Sequence, residues 1–248
     1  MNASLKKQIR KIQWPIIKII GLLIHFFSRA PDENICESCF VLGRGESLER
    51  FKGSNGIQSE CFLVNFNDKT LAAFGVKYIL DKNLTIVSCY GEPILLKYLW
   101  HRLKIRNVYV TMFKENPDIW RGRRRGYGRL EIYGQKVSFL PANLDADFTA
   151  KLRNGGLIAV HLAASTHKKV FLYGFDFYQS EYICGALAET HKTEKIAQEH
   201  RDLSAELIRL FYKLVDYWPD VEFEIFTYAA LNDSRPNLTI HNVRQKVN

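Results

Sequence analysis

Beyond Pro31 the chain alternates short β-branched and aromatic runs with stretches whose apolar residues recur every three or four positions. The short runs, bounded by turn residues, predict strands at Cys39–Leu42, Cys61–Val64, Thr85–Ser88, Val108–Met112, Val170–Tyr173 and Phe223–Phe226. Helical spacing predicts Glu46–Phe51, Pro93–Arg102, Leu157–Ala164 and a long helix from about Thr190 to Tyr217. Strands interleaved with helices imply an α/β fold, a doubly wound and mainly parallel sheet covered on both faces. Ligands of such sheets sit at the carboxyl ends of the strands, so the loops after these runs are where chemistry is expected. A length of 248 residues suits one sizeable domain.

The first 31 residues read differently. Lys6, Lys7, Arg10, Lys11, Lys18 and Arg29 occur there with no acid before Asp32, around an apolar run from Trp14 to Phe27 broken by Lys18 and His25. A membrane span needs about 20 apolar residues, so this run predicts a basic amphipathic helix, lying on an anionic membrane surface or packed on protein. No small-residue cleavage site follows, which argues against a removed signal peptide. The chain therefore divides into residues 1–31 and a domain at 32–248.

With 47% hydrophobic and 13% aromatic residues, disorder is excluded. Cys36, Cys39, Cys61, Cys89 and Cys184 are odd in number and scattered, as expected of reduced thiols in a cytoplasmic protein. Cys36 and Cys39 have zinc-like spacing, but no second close pair follows. The net charge of +9 includes a cluster from Arg121 to Arg129 that reads as a solvated loop. Basic patches attract nucleic acid, anionic lipid, acidic glycans and nucleotides alike, so charge does not choose among them.

Two constellations carry candidate chemistry. Gly43-Arg44-Gly45-Glu46-Ser47 joins the first strand to a short helix, where glycines let backbone approach a phosphate and helix-start amides receive it. The loop lacks the third glycine of a dinucleotide fingerprint and the Lys-Ser/Thr ending of a P-loop, and a plain turn capped by Ser47 fits it equally. Further on, Asn154-Gly155-Gly156 opens an apolar helix, and Lys169–Tyr173 leads into Gly174-Phe175-Asp176-Phe177-Tyr178 and, later, Tyr182. Phenolic hydroxyls there suit a phosphate gaining charge as it leaves.

These segments resemble the bacterial CMP-sialic-acid-dependent sialyltransferases of glycosyltransferase family 42, and Leu172-Tyr173-Gly174-Phe175 resembles the small sialylmotif of family 29. The resemblance is scattered over residues 39–227 and is most specific at 154–182. It implies a modified Rossmann-like nucleotide-binding domain, a GT-A-like variant with a lid segment. The implied reaction is an inverting transfer from CMP-sialic acid, or a related CMP-sugar, to a glycan or glycolipid hydroxyl in polysaccharide or lipooligosaccharide biosynthesis. No metal and no separate cofactor are implied. Carried over by position, Gly43, Gly45 and Ser47 would meet the CMP ribose and phosphate, Asn65 the nucleotide or sugar, and Asn154, Gly155, Gly156 and Asp176 the donor. Tyr178 and Tyr182 would hold the leaving phosphate, in a loop two residues shorter than the family's. Lys151 or Arg153 stands near the family's arginine, and Tyr90 replaces a donor-contacting asparagine.

The general base of such a transfer is expected to be a histidine, since imidazole accepts protons near neutral pH. His191 and His200 stand nine positions apart on the long helix and, at about 100° per residue, face opposite sides. His200 falls on the stripe of Ile196, Leu203, Leu207, Leu210 and Leu214, and also matches the family's catalytic histidine. A core histidine remains its alternative. Rival readings are a metal-dependent transferase using Asp145-Ala146-Asp147 and a non-enzymatic polyanion or membrane binder. Asp145 or Asp147 would serve equally as a helix cap. A homo-oligomer stays open, and no specific nucleic-acid partner is expected.

Overall fold

A computed structural model describes residues 37–52, 60–66, 68–88, 104–110, 137–138, 144–152, 154–185 and 194–243. The basic segment 1–31, the helix expected at Pro93–Arg102, the Arg121–Arg129 cluster, Tyr90, Arg153 and His191 lie outside these residues. The strands are β1 (Ser38–Leu42), β2 (Glu60–Val64), β3 (Asn83–Ser88), β4 (Lys104–Val110), β5 (Val137–Ser138), β6 (Lys169–Tyr173), β7 (Glu222–Thr227) and β8 (Leu238–Asn242). They form one eight-stranded sheet in the order β5-β4-β3-β2-β1-β6-β7-β8, parallel at every pairing. The expected doubly wound α/β fold is what the chain adopts, in its Rossmann-like form. A lid segment is not identified among the described residues.

The helices are α1 (Asp68–Phe74), α2 (Ala146–Leu152), α3 (Gly155–Ala164) and α4 (Glu194–Tyr217), and a 3₁₀ turn at Glu46–Arg50 follows β1. Four of these elements were not anticipated from the pattern. The helices α1 and α2 have seven residues each, too few for a periodicity to stand out; β5 has two residues, and β8 mixes polar and apolar positions at the sheet edge.

Side chains alternate across the sheet and build two cores. Cys39 and Val41 of β1, with Val170, Leu172, Phe223 and Ile225, pack under α3 and the Leu207, Phe211 and Leu214 face of α4. On the opposite face Phe40, Leu42, Cys61 and Leu63 meet Leu48 of the 3₁₀ turn, Phe51 just after it, and Leu71 and Phe74 of α1. Helix α3 is buried on nearly all sides because it lies across β1, β2, β3 and β6. By contrast, α4 buries a single face. Leu203, expected on that face, is 38% exposed; the buried face centres on Leu207, Phe211 and Leu214, and Leu203 sits at its margin. Cys39, Cys61 and Cys184 are free thiols.

From β1 the chain winds outward through β2 to β5 and then returns to β6 on the other side of β1. The chain thus reverses its winding direction between β1 and β6, and a crevice lies at the carboxyl ends of these strands.

Candidate functional site

The crevice begins with a backbone seam. The Gly43 amide donates to the Tyr173 carbonyl at 2.7 Å and the Gly45 amide to the Gly174 carbonyl at 2.9 Å. A second contact follows, in which the Glu46 amide donates to Glu181 and the Ile183 amide to Arg44, both at 2.9 Å. Gly45 and Tyr182 thus form an antiparallel bridge between the loops after β1 and β6. Such close approach demands glycine. A Cβ on Gly43 would stand 2.3 Å from the Gly174 carbonyl oxygen, and Gly174 itself has φ 73° and would meet Gly43 oxygen at 2.7 Å.

Gly43 and Gly45 line the crevice, and the seam occupies the amides expected to cradle a phosphate. The amides of Gly43, Gly45, Glu46 and Ser47 are all engaged within the protein, Ser47 through Asp176 at 2.9 Å. Ser47 does not reach the crevice either: it is fully buried, and its hydroxyl accepts from the Gly174 amide at 3.1 Å. Its role is to lock the seam.

Asp176 is the second lock. Buried at 2% exposure, its Oδ2 accepts from the Ser47 amide at 2.9 Å and the Ser180 hydroxyl at 2.7 Å. Oδ1 accepts from the Tyr228 amide at 2.9 Å and from the Thr227 hydroxyl at 3.1 Å, which also faces the Phe175 carbonyl. One carboxylate therefore ties the ends of β1, β6 and β7 together. Asp176 borders the crevice, but both of its oxygens are turned to these partners rather than offered to a donor molecule.

The crevice above the seam encloses about 630 Å³, its open mouth included, and is lined by Arg44, Asn65, Asn154, Gly156, Tyr178 and Tyr182 among others. Asn65, Phe177 and Tyr178 all border it, and they are the three non-glycine residues with positive φ among those described, at 52°, 48° and 61°. Such conformations cost about 1–3 kcal/mol each and persist where surrounding structure imposes them. Two successive aromatic residues held this way follow directly on the Asp176 lock, and both line the crevice. The Tyr178 and Tyr182 rings lie 6.4 Å apart. Opposite them Asn154 caps α3, its Oδ1 accepting from the Gly156 amide at 2.8 Å and the Leu157 amide at 3.2 Å. Those two amides are closed to a ligand, while Gly155, the first helical residue, is buried and is not among the lining residues.

Among the lining residues that sequence reasoning left without a role, one is charged. Arg44 stacks its guanidinium over the Tyr182 ring, 4.5 Å from the centroid, and is the cation among the lining residues. Behind the seam the charge is negative: burial, and then Glu49, Asp176 and Glu181, raise the Glu46 carboxyl above its ordinary range. An arginine between two glycines could have been singled out from the sequence, but its partner Tyr182 is 138 positions away.

The remaining predicted residues fall around this core. His200 lies on α4, seven positions before Leu207, which borders the crevice. At about 100° per residue the two positions differ by about 20° around the axis, so they share one helix face. Lys151 is exposed in the last turn of α2. Asp145 caps α2, its Oδ1 accepting from the Phe148 amide at 2.9 Å, and that bond holds its carboxyl below the usual range. Neither Asp145 nor Asp147 is among the lining residues.

No family model and no curated protein matches the sequence. Among solved structures the chain is similar to a point variant of the sialyltransferase CST-II in complex with CMP, at 14% identity and a TM-score of 0.44, over 80% of this chain and 86% of that one. The fold assignment rests on the sheet order itself.

Proposed function

We propose that the protein is an inverting, metal-independent glycosyltransferase that moves sialic acid, or a related CMP-activated acidic sugar, to a glycan hydroxyl. One observation carries the reading. Tyr178 and Tyr182 stand on one strained loop with a cation, Arg44, at the crevice where a doubly wound sheet binds ligands. Donors and a cation grouped this way suit a phosphate that gains charge as it departs.

In the proposed step, the acceptor oxygen bonds to the anomeric carbon and gives its proton to His200. The bond from that carbon to the phosphate oxygen breaks, and its electron pair leaves with CMP. Hydroxyls of Tyr178 and Tyr182 meet the developing charge, while Asn65 and Asn154 contact the nucleotide or sugar. Support for His200 is its helix face, shared with the crevice-bordering Leu207. The basic segment 1–31 is assigned to an anionic membrane surface on its cytoplasmic side, which would keep the enzyme near a glycolipid acceptor.

Thermal stabilisation by CMP, compared with UDP, GDP and NAD, tests the proposal, because a ligand that binds the folded state raises stability with its affinity. Selective stabilisation by CMP is expected. Selective stabilisation by UDP overturns the donor class and returns attention to Asp145 and Asp147, as would loss of turnover in excess chelator.

A further inference from the structure

A nucleotide site on a strand-to-helix turn ordinarily receives phosphate on consecutive backbone amides at a helix start. Here the amides of Gly43, Gly45, Glu46 and Ser47 are engaged by the β6 loop, and those of Gly156 and Leu157 by the Asn154 cap. Both expected cradles are therefore closed by the fold's own bonds. The loop nevertheless borders the crevice, so an anion there must be held by something other than those amides.

Arg44 is the residue so placed. Its carbonyl is pinned by the Ile183 amide at 2.9 Å, and the amides on either side of it, Gly43 and Gly45, are pinned to β6-side carbonyls. Unlike the amides of Gly43, Gly45, Glu46 and Ser47, the Arg44 amide has no hydrogen-bond partner among the described residues. Its guanidinium carbon lies over the Tyr182 ring, 4.5 Å from the centroid. Among the described residues it has no ion-pair partner, and no other basic side chain lines the crevice. A planar fork held on an aromatic platform gives up little freedom on meeting a phosphate or carboxylate.

Resting on the nucleotide reading above, we infer that Arg44 is the anion-gripping residue of this crevice, its guanidinium and its own amide together holding the donor phosphate that a glycine-loop cradle would otherwise receive. The glycines fix this residue in place, and Tyr182 serves both as its platform and as a donor to the same phosphate. The crevice thereby selects a phosphorylated nucleotide over its nucleoside, with Arg44 supplying the charge.

Calorimetric titration of the full chain with CMP and with cytidine tests this, using wild type, Arg44→Gln and Arg44→Lys. Loss of a charge-assisted pair is worth about ten- to a hundredfold in affinity. CMP affinity is expected to fall by that factor in Arg44→Gln and by a smaller but clear factor in Arg44→Lys, which keeps the charge and loses the fork. Cytidine affinity and the melting midpoint without ligand should stay as in wild type, a pattern that a merely structural role would not produce. CMP affinity within about threefold of wild type in Arg44→Gln overturns the inference. If wild type binds UDP and not CMP, the donor reading fails, and UDP against uridine in the same variants judges Arg44 separately. Wild type that binds no phosphorylated nucleotide overturns both.

Discussion

Asp176→Asn is the most informative single change. It keeps the shape of the side chain and replaces one accepting oxygen with an NH₂ group. Each carboxylate oxygen now accepts from one backbone amide and one hydroxyl: Ser47 and Ser180 on Oδ2, Tyr228 and Thr227 on Oδ1. A hydroxyl can turn and accept from the new amide, but a backbone N–H cannot. Whichever way the asparagine is flipped, the Ser47 or the Tyr228 amide loses its partner. An orphaned buried donor costs about 1–3 kcal/mol, and the surviving bonds lose their charge assistance at about 1 kcal/mol each. The sum is about 3–5 kcal/mol, a large share of the roughly 5–15 kcal/mol that holds a domain folded. At roughly 2–4 °C per kcal/mol for a chain of this size, the melting midpoint should drop by about 10 °C. Urea denaturation with matched slopes gives the free energy directly. A variant within about 1 kcal/mol of wild type refutes the lock. Unchanged stability with lost CMP binding would return Asp176 to the donor-contacting role first expected of it.

Other expected outcomes follow from neighbouring features. Gly43→Ala forces a methyl group against backbone at 2.3 Å, so it should separate the two loops and abolish CMP binding, read by thermal shift. His200→Ala should cut turnover by about 10²–10⁴ while CMP affinity holds; a fall of less than about tenfold removes it as the base. His161 is fully buried, with its Nδ1 accepting from Trp218 at 2.9 Å and its Nε2 without a hydrogen-bond partner, and burial lowers its pKa from 6.5 to about 4 despite the opposing charge of Asp145. Its neutral form is favoured by folding, so its contribution is complete above the unfolded value near 6.5 and is lost as pH falls toward 4. The window amounts to about 3 kcal/mol, and pH-dependent denaturation of His161→Leu should be flatter there than wild type by that order.

Much of the sheet is visible in the amino-acid pattern because buried parallel strands are nearly continuous apolar runs. The runs at 39–42, 61–64, 170–173 and 223–226 all fall inside observed strands. Asn154 and the paired tyrosines are visible for a similar reason, since a cap and an aromatic loop each leave a local trace. What stays hidden depends on distant partners. Whether the Gly45 amide is available to a ligand is decided by Gly174, and whether Ser47 faces solvent is decided by Asp176, each more than a hundred positions away. The positive φ of Phe177 and Tyr178 is hidden too, because bulky aromatic residues carry no propensity for that conformation.

The contact of Gly43 with Gly174 is made by main chain on both sides, and this bears on how such a protein can change over time. At the contact itself no side chain can be exchanged to adjust its width, and the side chains that lock it, Ser47 and Asp176, are buried with their oxygens turned to partners within the protein. Variation in which molecule is accepted must therefore be written at lining residues outside the joint and the phosphate-holding set, such as Asn65 and Asn154. Divergent descendants of this chain would be expected to keep the two glycines, and to vary first at Asn65 and Asn154.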